Sequence, residues 1–230
     1  MDIVEFWKKL NVNKPPYIHP ADIDCIKKGF DNKIGMHCTT YQDYISSIFG
    51  ARADYVDFSL LPSPYCGDIK NSKIVILMLN PGVSPGDYYC ELTDYNYKML
   101  LVDMLRQDFS NIDKKFFCLD MNYSSTPGFS WWYRKLNGII YAAAREFFSD
   151  NIYDALCYLS KNISCIDLIP YRSVSSSNML KAESLESSKM IKEFVLKEVQ
   201  ERADRLFIVT RAAKQWGLIP SENCIVYPSS

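Results

Sequence analysis

Four stretches of this 230-residue chain place polar, chemistry-bearing side chains directly after apolar runs. They are Asn80-Pro81-Gly82, Asp167 to Ser173, Thr210-Arg211 and Tyr227-Pro228-Ser229. An amide such as Asn80 holds a water by hydrogen bonds but takes its proton poorly. Carboxylates such as Asp87 and Asp167 accept hydrogen bonds, and arginines such as Arg172 and Arg211 contact phosphates. Other chemistries lack their residues. There is no G-x-G-x-x-G and no G-x-x-x-x-G-K-[ST], which counts against a dinucleotide or P-loop enzyme. The eight cysteines are scattered without a C-x-x-C pair, and only His19 and His37 could join them, so no zinc site is expected.

The elements that must carry these residues alternate between apolar strands and amphipathic helices. Lys73 to Leu79 is short, apolar and β-branched, as a central parallel strand covered on both faces requires. Further strands are expected at Ile163 to Ile169, Leu206 to Val209 and Cys224 to Tyr227. Helices are expected over Asn96 to Gln107, Trp131 to Phe148, Ile152 to Ser160, Glu186 to Asp204 and up to Trp216. Strands separated by helices predict a parallel sheet with helices on both faces. The expected fold is α/β: a three-layer αβα sandwich around a central four-stranded, mainly parallel sheet. Residues 1–61 form a helical N-terminal extension, with helices at Asp2 to Leu10, Ala21 to Phe30 and Tyr41 to Phe49. The segment from Leu61 to Asp68 reads as a turn-rich loop, as does that around Pro85, Gly86 and Asp87. No linker divides the chain, so one domain is expected over 1–230. In such sheets chemistry collects at the carboxyl ends of the strands, where the four polar stretches lie.

Composition narrows the class further. With 26 basic and 27 acidic residues the net charge is -1, which excludes a strongly basic nucleic-acid arm but leaves room for a local basic stripe. The start, MDIVEFWKKL, lacks a secretory pattern, and no apolar run approaches the roughly 18 residues of a membrane span. A cytoplasmic protein with reduced thiols and no membrane partner is expected.

The strand-end motifs, taken together and in order, resemble the uracil-DNA glycosylase superfamily. The similarity is to the branch with an asparagine after the first strand, which includes mismatch-specific and single-strand-selective glycosylases. That family's Gly-x-Asn-Pro-Gly stands here as Met78-Leu79-Asn80-Pro81-Gly82, and its closing His-Pro-Ser as Tyr227-Pro228-Ser229. Cys165-Ile-Asp-Leu-Ile-Pro170 is similar to the family's base-reading strand, which usually carries Asn-Leu-x-Pro. Leu206 to Trp216 looks like its third strand and helix. The resemblance runs from Pro62 to Ser230 and leaves the first seventy residues unexplained.

The resemblance implies a monofunctional DNA N-glycosylase that extrudes a base, reads it, stabilises its departure and places a water. Asn80 is the implied water-positioning group, with Asp87 as a second polar group near the water. Gly82 lets the backbone approach the base and Val83 supplies an amide. Tyr88 and Tyr89 lie where the family places a stacking aromatic. Asp167 stands in place of a base-reading asparagine. An ionised carboxylate only accepts, so it suits an exocyclic amine and points to a cytosine-type or modified-cytosine substrate over uracil. Tyr227 replaces the histidine that assists base departure, and its hydroxyl can also donate. Arg172, Ser173, Arg211 and Ser229, with Lys214, are placed to contact the DNA backbone, whereas Ser175 to Ser177 could offer hydroxyls but read better as a flexible polar loop. Tyr65 and Phe129 are pocket-wall residues, whereas Trp131 and Trp132 read as helix packing.

The early Cys-x-x-Cys of iron–sulfur members is missing, so no metal cluster and no cofactor are expected. Family members usually continue past the closing motif with a wedge that follows base extrusion; the expectation here is either that this element is absent or that the substrate is single-stranded or already distorted. DNA is the expected partner of a monomer. The implied role is base-excision repair or defence against phage with modified DNA. The alternative is a nonenzymatic nucleic-acid or nucleotide binding module on the same fold.

Overall fold

A computed structural model describes residues 2–30, 38–46, 56–174 and 181–227. The central sheet follows directly from the apolar runs. Strand β1 (Val56–Asp57) comes before it, and β2 (Tyr65–Cys66) and β3 (Ile74–Met78) begin it. Helices α1 (Ile3–Trp7), α2 (Ile23–Phe30) and α3 (Tyr41–Ser46) precede them. The chain continues through α4 (Pro85–Thr93), α5 (Tyr95–Arg106), α6 (Pro127–Phe147), α7 (Ile152–Asn162) and β4 (Ile163–Asp167). It then runs through β5 (Arg172–Ser173), α8 (Glu186–Glu201), β6 (Leu206–Val209), α9 (Ala213–Trp216) and β7 (Cys224–Val226).

The main sheet has the order β2-β4-β3-β6-β7, parallel throughout except for the antiparallel edge strand β2. This corrects the expected four strands to five. The missed strand lies in the Pro-rich segment read as a loop. Two residues are too few to show a period, and prolines at 62 and 64 suit only an edge. Its register is Tyr65 opposite Ile166 and Cys66 opposite Cys165. Gly67 ends it with φ +85°, and a Cβ there would lie 2.7 Å from the Ile163 carbonyl oxygen, so only glycine fits. β4 is buried at every position and β3 at its three central ones, as strands covered on both faces must be. The fold is therefore mixed α/β around a mostly parallel sheet.

Helix α4 is a second departure, because it occupies a stretch read as loop. The Asp87 carboxylate accepts from the Ser84 backbone N–H at 2.8 Å and from its hydroxyl at 2.7 Å, and Pro85 fills the first helical position. Ser84-Pro85-x-Asp87 is a capping signal that the Pro and Gly had masked. Helix α6 shows the opposite, a plain reading. Thr126 caps it, Pro127 opens it, and Leu136, Ile140, Ala143 and Ala144 form its buried stripe.

The N-terminal segment is not purely helical, since β1 pairs antiparallel with β5. Ile3, Val4, Phe6, Trp7 and Leu10 belong to the same buried cluster as the sheet. A buried polar clasp joins the segment to the body. Asp22 accepts from the Tyr171 hydroxyl at 2.6 Å and from the Ser187 N–H at 3.1 Å. Among the described residues no helix is long and apolar enough to cross a membrane.

Candidate functional site

A cavity of about 400 Å³ opens at the carboxyl ends of β3 and β4. Asn80, Gly82, Val83, Asp87, Asp167, Arg172, Ser173 and Arg211 all line it. Sequence separation of more than ninety residues between Asn80 and Ser173 is closed by the sheet register. β3 and β4 run parallel, with Met78 opposite Asp167, so their exits lie side by side. Beyond the strands the chains stay paired. The Ile169 N–H donates to the Leu79 carbonyl at 2.8 Å, the Ser173 N–H to that of Pro81 at 3.2 Å, and Gly82 bridges Ser173 in parallel.

That pairing fixes Asn80. Its Nδ2 donates to the Pro81 carbonyl at 3.0 Å and to Ser173 Oγ at 3.1 Å. Among the described residues its Oδ1 has no hydrogen-bond partner, and it is free to accept from a water. At Gly82 a Cβ would meet nothing within 4 Å, so protein packing does not demand the glycine and the wall is left open there.

Asp87 and Arg172 are more deeply committed to structure. Asp87 is held by the Ser84 amide and hydroxyl, and its Oδ1 lies 3.4 Å from an Arg172 guanidinium nitrogen. Arg172 also donates to the carbonyls of Leu61 at 3.2 Å and Gly82 at 3.5 Å, with 8% of the residue exposed. Its guanidinium thus ties the loop before β2, the Asn80 loop and α4 together. Arg211 is exposed at the rim.

Asp167 ends β4 with only 6% of its surface exposed. Its backbone N–H donates to the Pro64 carbonyl at 2.8 Å, while its carboxyl lines the cavity without a hydrogen-bond partner among the described residues. Burial pushes that carboxyl well above the usual carboxylate range, with Arg172 and Arg211 opposing the shift. Two neighbouring thiols are pushed up by burial as well, those of Cys66 and Cys165. Cys66 Sγ lies 3.9 Å from Cys118 Sγ on the same wall.

The aromatic wall differs from the sequence reading. Tyr88 is buried and stacks on Tyr44, with ring centroids 3.8 Å apart, and Tyr89 is 56% exposed with its edge against Tyr41. Neither lines the cavity. Tyr97 from α5, Phe117 from a short 3₁₀ turn, and Trp131 and Trp132 from α6 line it instead. Tyr97 and Phe117 meet edge to face at 6.0 Å, Trp131 and Trp132 at 4.8 Å. The Pro127-Gly128 pair, which also lines the cavity, was the available signal, since it starts α6 at the rim. Tyr65 is sealed in the core with its hydroxyl on the Leu105 carbonyl at 2.7 Å, and Phe129 stacks on Tyr133. Tyr227 lies outside the cavity. Its backbone N–H continues the sheet to the Val209 carbonyl at 3.0 Å, and 56% of the residue faces solvent. Lys214 is exposed and away from the cavity. His37, Ser175 to Ser177, Pro228 and Ser229 lie outside the described residues.

The fold and cavity define an α/β protein with a strand-end pocket that pairs a polar end with an aromatic wall. Compared with known proteins, the chain matches no family model, no curated protein and no solved structure. Among the described residues no three His, Cys, Asp or Glu side chains form a group that could hold a metal ion.

Proposed function

We propose that the protein is a monofunctional DNA N-glycosylase that hydrolyses the base–sugar bond of a modified or mispaired pyrimidine and leaves an abasic site. One observation carries the reading: Asn80, Asp167 and four aromatic side chains share a single cavity at adjacent strand ends. A volume of about 400 Å³ falls within the size of small-ligand sites and suits one extruded base. Phe117, Tyr97 and the two tryptophans offer ring faces and edges to a flat heterocycle. The unpartnered Oδ1 of Asn80 accepts from a water and turns its oxygen lone pair toward C1′. With a cationic sugar in the transition state, no strong base is needed. Cytosine-type bases are favoured over uracil because the residue that reads the base edge is an aspartate.

In this reading the helices complete a three-layer sandwich, and the chain acts on DNA as a cytoplasmic monomer, in base-excision repair or in defence against phage with modified DNA. The solvent-facing position of Tyr227 favours a second reading, a nucleic-acid binding module on the same fold. Base release decides between them. Single- and double-stranded DNA carrying uracil, cytosine, or hydroxymethylated or glucosylated cytosine is incubated with the protein, and freed bases are identified by mass spectrometry. Release of a cytosine-type base that is lost in Asn80→Ala supports the glycosylase. Release of uracil alone keeps the enzyme and overturns the preference. DNA binding without release from any substrate favours the binding module.

A further inference from the structure

The departing base needs a partner for the negative charge that develops on it, and Tyr227 stands outside the cavity. Among the polar side chains that line the cavity is Asp167. It is more than nine-tenths buried, belongs to the last position of a fully buried strand, and no donor among the described residues binds its carboxyl. The charged and titratable groups around it divide. Arg172 on β5 and Arg211 after β6 favour the carboxylate. Cys66 on β2, Cys165 on its own strand and Cys118 on the 3₁₀ turn contribute thiols to the same wall, and Asp87 on α4 and Tyr97 on α5 complete the lining groups that titrate. Desolvation outweighs the two arginines, so the pocket shifts the carboxyl toward its uncharged form.

We propose that Asp167 serves this cavity as a neutral carboxylic acid, which pairs with the amidine edge of a cytosine-type base and passes its proton to ring N3 as the base leaves. The inference rests on the glycosylase reading of the same cavity. It also changes the premise of the sequence argument, which took this carboxylate as ionised. A neutral acid presents one donor and one acceptor side by side. Its O–H donates to N3 of cytosine while its C=O accepts from the exocyclic amine. Uracil offers the reverse edge, with O4 accepting and N3–H donating, so the acid binds either base by moving its proton between Oδ1 and Oδ2. Only cytosine carries a lone pair on N3 that can take the proton. Selectivity therefore resides in the release step rather than in binding.

The step balances. The C1′–N1 bond breaks and its electron pair goes to the base. The acid proton moves from Asp167 to N3, so the base leaves neutral and Asp167 becomes a carboxylate. Water held by Asn80 adds to C1′, and the proton it sheds restores Asp167 through solvent. An acid with a raised pKa is suited to this role near neutral pH.

The test combines infrared titration of the intact protein with base release by wild type and Asp167→Asn. The expected result is a protonated-carboxyl band at pH 7 that is absent from the variant. Cytosine release by wild type should fall tenfold per pH unit above the midpoint of that band. The variant should lose cytosine release by about 100-fold or more while uracil release does not fall. A carboxyl that titrates in the ordinary range overturns the proposal, whatever the release assay gives, and any base released then leaves the glycosylase reading standing. A high-titrating band with unaffected cytosine release in Asp167→Asn also overturns it. A high-titrating band with no release from any DNA removes the glycosylase reading, and the proton transfer with it.

Discussion

The two ends of one sheet have been given opposite chemistry. At the amino end, before β3 and β6, Arg205, Ser72, Ser164 and Asp68 are paired. Arg205 is 2% exposed and donates to the Ser72 carbonyl at 2.7 Å, the Ile69 carbonyl at 2.8 Å and the Glu198 carboxylate. Ser72 and Ser164 share a 2.7 Å hydroxyl contact beneath it, and Asp68 nearby is bound by Asn71 and Lys115. At the carboxyl end the polar groups keep capacity in hand. Among the described residues no donor binds the Asp167 carboxyl or the Asn80 carbonyl oxygen, and both line the cavity. Burying a polar group without a partner is costly, so an end that leaves such groups beside a cavity is arranged for something outside the chain. The amino end holds the structure together and the carboxyl end leaves room for a ligand.

Breaking the amino end should give the largest effect on stability. Arg205→Met strips donors from two buried carbonyls and leaves Glu198 unpaired. We expect a loss of about 3–5 kcal/mol, the usual consequence of removing one partner of a buried pair. For a chain of this size that is a Tm fall on the order of 10 °C, read by calorimetry. Base release by the protein that remains folded should be unchanged. A variant that kept its Tm would show that the amino end is not the structural half.

Asn80→Ala sharpens the comparison from the other side. It removes two hydrogen bonds at a half-buried position, worth about 1–2 kcal/mol of stability together. Base release should fall by about 100-fold or more, with DNA affinity within a factor of two. Stability loss without a rate loss would move Asn80 into the structural class.

How much of this was legible in the sequence differs between the two ends. β3, β4, β6 and β7 were readable because apolar, β-branched runs report burial on both faces. Asn80, Asp87, Asp167, Arg172, Ser173 and Arg211 were readable as a group because parallel strands deliver their exits to one edge. β2 was not, since two residues between prolines carry no period, and its existence depends on β4. The aromatic wall was missed for a related reason. Tyr88 and Tyr89 are close to Asn80 in sequence, but α4 turns one into the core against Tyr44 and the other to solvent. Tyr97, Phe117, Trp131 and Trp132 reach the cavity only through packing of α5, α6 and the 3₁₀ turn between them. The upward shift of the Asp167 carboxyl was also hidden, because desolvation is a property of what surrounds β4.

That upward shift gives a stability signature independent of any reaction. A carboxyl whose pKa is raised on folding binds more protons in the native than in the unfolded chain. Stability then falls as pH rises from the ordinary aspartate range near 3.9 up to the folded pKa, and stays reduced above it. Asp167→Asn removes this penalty while keeping the shape of the side chain. We expect the variant to melt clearly above wild type at pH 8 and to converge with it at about pH 4, with the Tm of each followed by calorimetry. Equal melting points at both values would mean that Arg172 and Arg211 compensate the carboxylate fully.

The smallest effect is expected at Tyr227. Its side chain faces solvent, and its structural role is the backbone bond to Val209, which any residue but proline makes. Tyr227→Ala should therefore change base release by less than twofold and stability by less than about 0.5 kcal/mol. The family-like motif at this position argues the other way, because a histidine in its place would assist the departing base. A loss of tenfold or more would require Tyr227 to swing over the cavity when DNA binds, and would divide the stabilisation of the leaving base between this hydroxyl and Asp167. The double variant with Asp167→Asn then separates the cases. Two groups acting on the same departing base give losses that fail to add, whereas a tyrosine that only contacts the backbone gives losses that do.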